Sequence, residues 1–300
     1  MALSKTITGA DGKNFVLNGG SSNISAEANV SVTSPAPLLA SVTAIQGAVA
    51  YAWFVGTSSG TETLQAITTI NSLSLSVPLV AGRQASSLVT QDSSANPNVA
   101  FDGLLSSAFN TSNLASVIIQ PTGVAGVGTP LTSSGRGSVV EIDNLLQSMW
   151  DNYRISPTVL YVNSQEMRNI TNKVFAGNSN SSLLRLNSTA EDGGQVISAT
   201  AGGVIDFYYN PYTPGGGYKM PVRVHPNVPA GTILAYAEQL PAWYQNNEVP
   251  NVAEVITRRD YYRIDWPERT RAREYGVYAE EVLAIYATFG LGVISNIANG

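Results

Sequence analysis

The stretch SVVEIDNLLQSMWDNYRISPTVLYVNSQEMRNITNKVFAG, residues 138–177, carries the strongest secondary-structure signal in the chain. Apolar side chains recur in its first part at a spacing that puts them on one face of a helix, which predicts an amphipathic helix over 138–153. These side chains are Ile142, Leu145, Leu146, Met149, Trp150 and Tyr153. Ser138 and Glu141 have the spacing of a capping box, in which each side chain bonds to a free backbone N–H of the first turn.

A strand and a second helix follow. The apolar run PTVLYVN (157–163) predicts a short buried strand, and SQEMRNITNKVFAG (164–177) predicts a helix that ends at Gly177. Three strand-like segments and one glycine-rich turn come next: GGVIDFYYNP (202–211), the turn at 215–217, MPVRVHP (220–226) and GTILAYAEQL (231–240). Helices and strands in this mixed order predict an α/β domain over 138–240, in a chain of α+β class.

The composition limits the classes of function. Charged residues make up 12% of the 300 residues, about half the usual share. A surface so poor in charge predicts a protein that packs into an assembly. The net charge of −5 gives no general attraction to nucleic acid. The lack of cysteine excludes disulfides, thiolate catalysis and cysteine metal sites.

The first 135 residues differ in composition, since they hold eight of the chain's charges. Short segments there have the alternation or the β-branched content of strands. They are AVAYAWFVG (48–56), TETLQAITTI (61–70) and LSLSVPL (73–79), with a turn at 57–60. The pattern predicts a small β-sandwich of immunoglobulin type, with connectors, over 30–122, and we expect 30–90 to be a separable module. The stretch 123–137, rich in Gly, Ser, Thr and Pro, is interpreted as a linker.

Motifs for catalysis or cofactor binding are weak throughout. His225, the only histidine, lies between prolines without a nucleophile motif, so a strand-end histidine is the preferred interpretation. GVAGVG (123–128) lacks the strand and helix of a dinucleotide loop. The acidic pairs Glu191–Asp192 and Glu280–Glu281 have no partner at metal-ligand spacing. We therefore expect no enzyme activity, no cofactor and no metal.

An arginine-rich segment, RRDYYRIDWPERTRARE (258–274), stands out from this background. It holds six of the twelve arginines, interleaved with four acids: Arg258, Arg259, Asp260, Arg263, Asp265, Glu268, Arg269, Arg271, Arg273 and Glu274. Because the local excess of positive charge is only two, salt bridges are favoured over nucleic-acid binding. Pairing between subunits is preferred, and pairing within the chain and contact with nucleic acid remain as alternatives.

The uncharged tail 282–298 is shorter than the roughly 20 residues of a membrane span, and it contains Gly, Ser and Asn. Its β-branched and aromatic residues predict a strand buried on both faces.

From residue 138 onwards the order of segments resembles the C-terminal part of major capsid proteins of tailed bacteriophages with the Hong Kong 97-type fold. The resemblance lies in the helix VVEIDNLLQSMWDNY, the strand-to-helix step SPTVLYVNSQEMRNI, the strand pair MPVRVHPNVPAGTILAYAEQLP, and the ending VITRRDYYRIDWPERTRAREYGVYAEEVLAIYATFGLGVISNI. FVLNGGSSN (15–23) before the β-rich 30–90 resembles the junction to an immunoglobulin-like insertion found in some members.

The resemblance implies a fold. It implies a mixed sheet with flanking helices, an axial-type domain over 138–240 and peripheral-type long strands over 241–300. Residues 1–29 would be a connector or a remnant of N-terminal elements. The N-arm, extended loop and spine helix of the family are not recognisable before residue 138. The expectation is a fragment, a split form or a chain in which these elements have diverged.

The resemblance also implies a structural function. It implies self-assembly through hexamers and pentamers into an icosahedral shell, in a virion assembled in the host cytoplasm, with packaged DNA only in proximity and no membrane. Scaffold, portal, decoration protein or a companion N-terminal polypeptide are the further partners it suggests. The alternative is another virion or surface assembly protein, such as a tail or surface-layer component.

Overall fold

The computed structural model describes residues 4–8, 14–18, 20–33, 36–90, 92–94, 103–134, 137–176, 205–245, 249–267, 273 and 275–300. The strands are β1 Ser4–Thr8, β2 Asn14–Asn18, β3 Leu38–Ser41, β4 Tyr51–Val55, β5 Thr63–Thr68, β6 Ser72–Leu75, β7 Ser116–Ile119, β8 Val159–Val162, β9 Phe207–Asn210, β10 Tyr218–Val224, β11 Ile233–Tyr236, β12 Ala253–Asp265, β13 Tyr275–Ile285 and β14 Leu291–Ser295. The helices are α1 Leu104–Phe109, α2 Val140–Tyr153 and α3 Ser164–Ala176. The α+β class predicted from the sequence is confirmed.

A mixed six-stranded sheet forms the centre of the molecule, in the order β7-β14-β11-β8-β10-β9. β7 and β14 are parallel, as are β8 and β10, and the other neighbours are antiparallel. Helix α2 packs closely on β14, where a Cβ added at Gly292 would lie 2.7 Å from the Met149 sulfur. Gly292 therefore lets the helix approach the sheet at a distance that a larger residue would prevent.

Helix α2 confirms the predicted apolar stripe except at Trp150, which is only partly buried and lines an open groove. Ile142, Leu145, Leu146 and Met149 are all buried in the main core, and Tyr153 packs partly buried against the same core. The predicted capping box is wrong. The N-cap is Val139, and the Ser138 hydroxyl instead donates to the Asp143 carboxylate at 2.7 Å.

Hydrogen bonds from distant parts of the chain take the place of the predicted capping box at the start of α2. Glu141 accepts a hydrogen bond from the Thr132 backbone N–H at 2.9 Å. The hydroxyl of Tyr208, on β9, accepts from the Val139 N–H at 2.9 Å and donates to Asp143 at 2.5 Å. Burial and the Asp143 carboxylate raise the pKa of the Tyr208 phenol, so it stays protonated and keeps donating. The start of α2 is thus capped by a strand that follows it in the chain.

The strand β8 and helix α3 lie where the sequence predicts them. Asn163 joins them, since its side-chain oxygen accepts from the Gln165 N–H at 3.1 Å and acts as an N-cap. The proposed helix end at Gly177 and the pair Glu191–Asp192 fall outside the described residues. The three predicted strands after α3 are confirmed as β9, β10 and β11: β9 and β11 are shorter than predicted, and β10 begins two residues earlier.

The C-terminal tail differs from the prediction of one strand over 282–298. β13 ends at Ile285, a 3-10 turn covers Thr288–Gly290, and β14 begins at Leu291. Of the tail's two strands, β14 is the completely buried one, between the edge strand β7 and β11. The turn has a packing reason: a Cβ added at Gly290 would lie 2.8 Å from the Val252 side chain, so the chain bends against Val252.

The N-terminal region does not show an immunoglobulin sandwich in the described residues. The strands between 36 and 90 form two separate two-stranded ladders, β3 with β6 and β4 with β5. β6 ends at Leu75, although the alternation continues to residue 79. Pro78 has no N–H to donate to a ladder, so alternation there does not extend the strand. The predicted hairpin over 48–70 is confirmed.

Residues 103–134 belong to the central sheet more than to an insertion. β7 is its edge strand, and α1 buries Phe109 against Leu291 and Val293. The predicted linker contains a tight turn from Val124 to Gly128, and the Gly126 N–H donates to the Ser72 hydroxyl at 2.9 Å. The stretch interpreted as a linker is therefore packed against the N-terminal ladders.

A candidate assembly surface

The long antiparallel pair β12–β13, here called the ribbon (residues 253–265 and 275–285), holds most of the predicted site residues. Its paired length of 11 residues in β13 corresponds to about 35 Å. Within the part of the chain that the structure describes, each ribbon strand pairs only with the other. Most ribbon side chains on both faces are exposed.

Two register shifts interrupt the ribbon, one between Thr257 and Arg259 and one between Arg259 and Tyr262. Each shift adds one residue to β12, which bends a ribbon and increases its twist. Arg259, between the two shifts, lies opposite Glu280. Tyr262, after the second shift, lies opposite Tyr278. These four side chains therefore share one face.

The ion pairs of the ribbon form within the chain. Arg258 pairs with Glu280 at 2.5 Å, and Arg263 pairs with Asp265 at 2.6 Å. The Arg258 side chain is 85% exposed, and exposed pairs of this kind contribute about 0–1 kcal/mol. Pairing within the chain, the alternative interpretation, thus accounts for Arg258, Arg263 and Asp265. Only the Arg258–Glu280 pair joins the two strands, since Arg263 and Asp265 both lie on β12.

The other contacts of the arginine-rich segment involve aromatic rings and backbone groups. The Arg259 guanidinium lies 3.7 Å from the centre of the Tyr262 ring, and Arg263 lies 4.6 Å from that of Tyr275. Asp260 accepts from the Tyr261 backbone N–H at 2.7 Å. Arg273 is exposed. Glu268, Arg269, Arg271 and Glu274 lie outside the described residues.

Large apolar side chains are exposed along the ribbon, which the charge pattern alone did not reveal. They are Val255, Ile256, Tyr261, Ile264, Tyr275, Val277, Tyr278 and Val282, with Trp266 next to the end of β12. Tyr261 is 73% exposed. A two-stranded ribbon is marginally stable alone in water, and contiguous exposed apolar surface marks interaction sites. The ribbon therefore has the properties of a surface that another chain covers.

An open aromatic groove is a second feature that the sequence patterns did not indicate. It lies at the end of α2 and is lined by Trp150, Arg154, Pro214, Trp243 and Tyr244. Arg154 ends the helix with φ 53°, in the left-handed region, and its guanidinium lies 5.8 Å from the Trp150 ring centre. The one sequence feature that could have indicated this groove is the aromatic cluster PAWY (241–244).

His225 lies at the end of β10, in agreement with the strand-end interpretation. Its Nδ1 accepts from the Asn227 N–H at 3.2 Å, and its ring meets Tyr161 edge-on at 5.9 Å. His225 therefore stabilises the turn that follows β10. Glu280 of the second acidic pair is bound to Arg258, while Glu281 lies opposite Thr257.

Among the described residues, no three His, Asp or Glu side chains gather in a way that could hold a metal ion. Within the same residues, no helix is both long and apolar enough to cross a bilayer.

No protein-family model and no curated protein sequence matches this chain.

Proposed function

We propose that the chain is a structural subunit that assembles with copies of itself, and specifically a major capsid protein of the Hong Kong 97 type. In this proposal the subunits form hexamers and pentamers of an icosahedral shell around packaged phage DNA, in a virion assembled in the host cytoplasm. The observation that carries the proposal is the exposed ribbon attached to a packed core.

The contrast between core and ribbon supports an assembly role. The central sheet is covered by α2 and buries β14 completely, so the core does not need a partner to exclude water. The ribbon is different, because Tyr261, Val277 and Val282 are each more than 60% exposed. Burying such side chains gains about 25 cal/mol per Å² of apolar surface. An intermolecular contact would supply that gain.

The charge pattern supports a repeated, oriented contact. The ribbon places arginines and carboxylates side by side, with Arg259 and Glu280 on one face. Balanced pairs set the orientation of a contact more than its strength. In a closed symmetric assembly each subunit offers the same surface, so one ribbon would be used many times.

The α+β core supports the finer proposal of a capsid fold. A mixed sheet with flanking helices, followed by long C-terminal strands, is the arrangement that the resemblance implied. Scaffold, portal, decoration protein or a companion N-terminal polypeptide would be the further partners. A tail or surface-layer component would use the same ribbon in a tube or a flat lattice.

Negative-stain electron microscopy and light scattering of the purified full chain test the proposal. Icosahedral shells, or discrete hexamers and pentamers, are expected as concentration rises. Tubes or flat lattices would support the alternative assembly protein. A chain that stays monomeric at every concentration and has hydrolytic activity lost in His225→Ala would overturn the structural role.

A further inference from the structure

A second exposed surface lies on the central sheet, outside the ribbon. We call it the open sheet face and define it by Phe207 and Tyr209 of β9 and Lys219 and Arg223 of β10, with Tyr161 of β8 partly buried at its border with the cluster around α1. Burial alternates along β9, where Phe207 and Tyr209 are 47% and 57% exposed and Tyr208 between them is 5% exposed. The alternation shows that the two exposed rings share the side of the sheet opposite the main core.

Pairing in the sheet brings cations next to these rings. Tyr209 lies opposite Lys219, and Arg223 lies beside Tyr161. The Lys219 ammonium is 4.8 Å from the centre of the Phe207 ring. Rings and positive charges therefore alternate across three neighbouring strands.

The other half of the same sheet side is covered. There Leu234, Leu291 and Val293 are buried against Ala108 and Phe109 of α1. Among the described residues, nothing packs in that way on the open half, and Arg223 has no acidic partner. Asp206, next to Phe207 in the chain, is the nearest acid along β9. In the described part of the chain, the half without a cover is the half that carries the cations.

We propose that the open sheet face binds single-stranded nucleic acid. Exposed rings on a sheet stack unpaired bases, and cations next to them hold the phosphates. Phe207 and Tyr209 are two residues apart, about 6.8 Å along the strand, so they offer two neighbouring bases one ring each. Lys219 fits a protein partner less well, because lysine is depleted at protein interfaces.

This inference is independent of the proposed capsid role, since a protein of any assembly type can bind nucleic acid on such a face. The overall charge of −5 opposes non-specific attraction, so binding has to come from the local arrangement of rings and cations.

Fluorescence anisotropy of the full chain with a labelled 20-nucleotide oligo(dT), and with a duplex of the same length, tests the inference at low salt. The wild type should bind the single strand more tightly than the duplex. Phe207→Ser and Tyr209→Ser should each weaken binding about tenfold. The double variant Lys219→Gln/Arg223→Gln should flatten the slope of log affinity against log salt by about 1.4, since two phosphate contacts are lost.

A charge-matched control is the double variant Arg168→Gln/Lys173→Gln on α3, which also removes two cations and lies outside both exposed surfaces. It should bind oligo(dT) as the wild type does, while Asp206→Asn should bind it more tightly. Thermal unfolding checks that each variant is folded, and Tyr209→Phe keeps the ring if Tyr209→Ser does not fold.

Three results would overturn the inference. They are no oligo(dT) binding by the wild type, equal weakening by the α3 control, and a duplex preference that the ring variants leave unchanged. If Lys219→Gln/Arg223→Gln alters self-association and the wild type does not bind oligo(dT), the face is a contact between copies.

Discussion

The side chain of Asn296 holds Asn71, 225 residues earlier in the chain, by two hydrogen bonds. Its oxygen accepts from the Asn71 backbone N–H at 2.9 Å, and its nitrogen donates to the Asn71 side-chain oxygen at 3.1 Å. The same nitrogen donates to the Gln120 carbonyl at 2.7 Å. Both asparagines are buried. This network joins the N-terminal ladders to the C-terminal end of β14, and the separable module over 30–90 stays a prediction that limited proteolysis would test.

Deleting the Asn296 side chain should destabilise the fold. Asn296→Gly leaves the buried Asn71 N–H and Gln120 carbonyl without partners, which should cost about 2–4 kcal/mol. Asn296→Ala should cost about 1 kcal/mol more, because residue 296 has φ 61° and alanine tolerates that conformation poorly. Urea unfolding measures both. Asn299→Ala, at an exposed position, is the control, and equal stability of Asn296→Gly and wild type would disprove the role of the network.

Tyr208→Phe should destabilise helix α2 without opening a cavity. The substitution removes only the hydroxyl that caps the Val139 N–H and binds Asp143, at an expected cost of about 1–3 kcal/mol. Tyr209→Phe removes the same atom from an exposed neighbour and should change stability by less than about 0.5 kcal/mol. Thermal unfolding followed by far-UV circular dichroism compares the two. Similar midpoints for both variants would contradict a tertiary cap.

Stability should fall as pH rises through the titration of Glu166. Its carboxyl is buried at the start of α3, and burial raises its pKa above the ordinary 4.5, although Asn169, Gly231 and Gln165 donate to it. The folded state therefore binds this proton more tightly than the unfolded state. The contribution to stability is complete below the ordinary pKa and is lost as pH rises through the raised one.

Glu166→Gln should remove that decline. Denaturant unfolding from pH 4 to pH 8 gives the free energy of unfolding of both proteins, and their difference should shift in favour of the variant as pH rises. Glu254→Gln removes the same formal charge from the exposed ribbon, and this control should retain the decline. A constant difference between Glu166→Gln and wild type over the whole range would refute the assignment.

The ribbon should control assembly and not folding. Tyr261→Ser and Val277→Ser remove exposed apolar surface, so the isolated chain should keep its unfolding midpoint while particle formation in light scattering shifts to higher concentration. Leu79→Ser, at an exposed apolar position outside the ribbon, is the matched control. Loss of thermal stability equal to the loss of assembly would assign these side chains to the fold of the single chain.

The pair Arg258–Glu280 separates contacts within a chain from contacts between chains. Glu280→Arg places two arginines side by side and should impair assembly. The exchange Arg258→Glu/Glu280→Arg restores the pair within the ribbon. Full recovery of particle formation by the exchange would mean that the pair acts inside the chain. If the exchange variant still does not form particles, the original charges contact a neighbouring subunit.

Local sequence determined the elements whose residues contact their own neighbours. Ile142, Leu145 and Met149 recur with the helical period, and this is enough to specify α2 and its buried face. The same holds for β8 and for the hairpin β4–β5, where alternation or β-branched content and a turn lie close together in the chain. The α+β class followed from the order of these elements.

Contacts between distant residues decided the rest. Ser138 and Glu141 had the correct spacing for a cap, but Tyr208 occupies that position because the sheet brings β9 to the start of α2. The tail 282–298 had a strand composition throughout, yet packing of Gly290 on Val252 divides it. Whether a strand joins the central sheet, as β14 does, or extends from it, as the ribbon strands do, depends on which surfaces meet in three dimensions. The periodic pattern of apolar residues in the sequence does not contain that information.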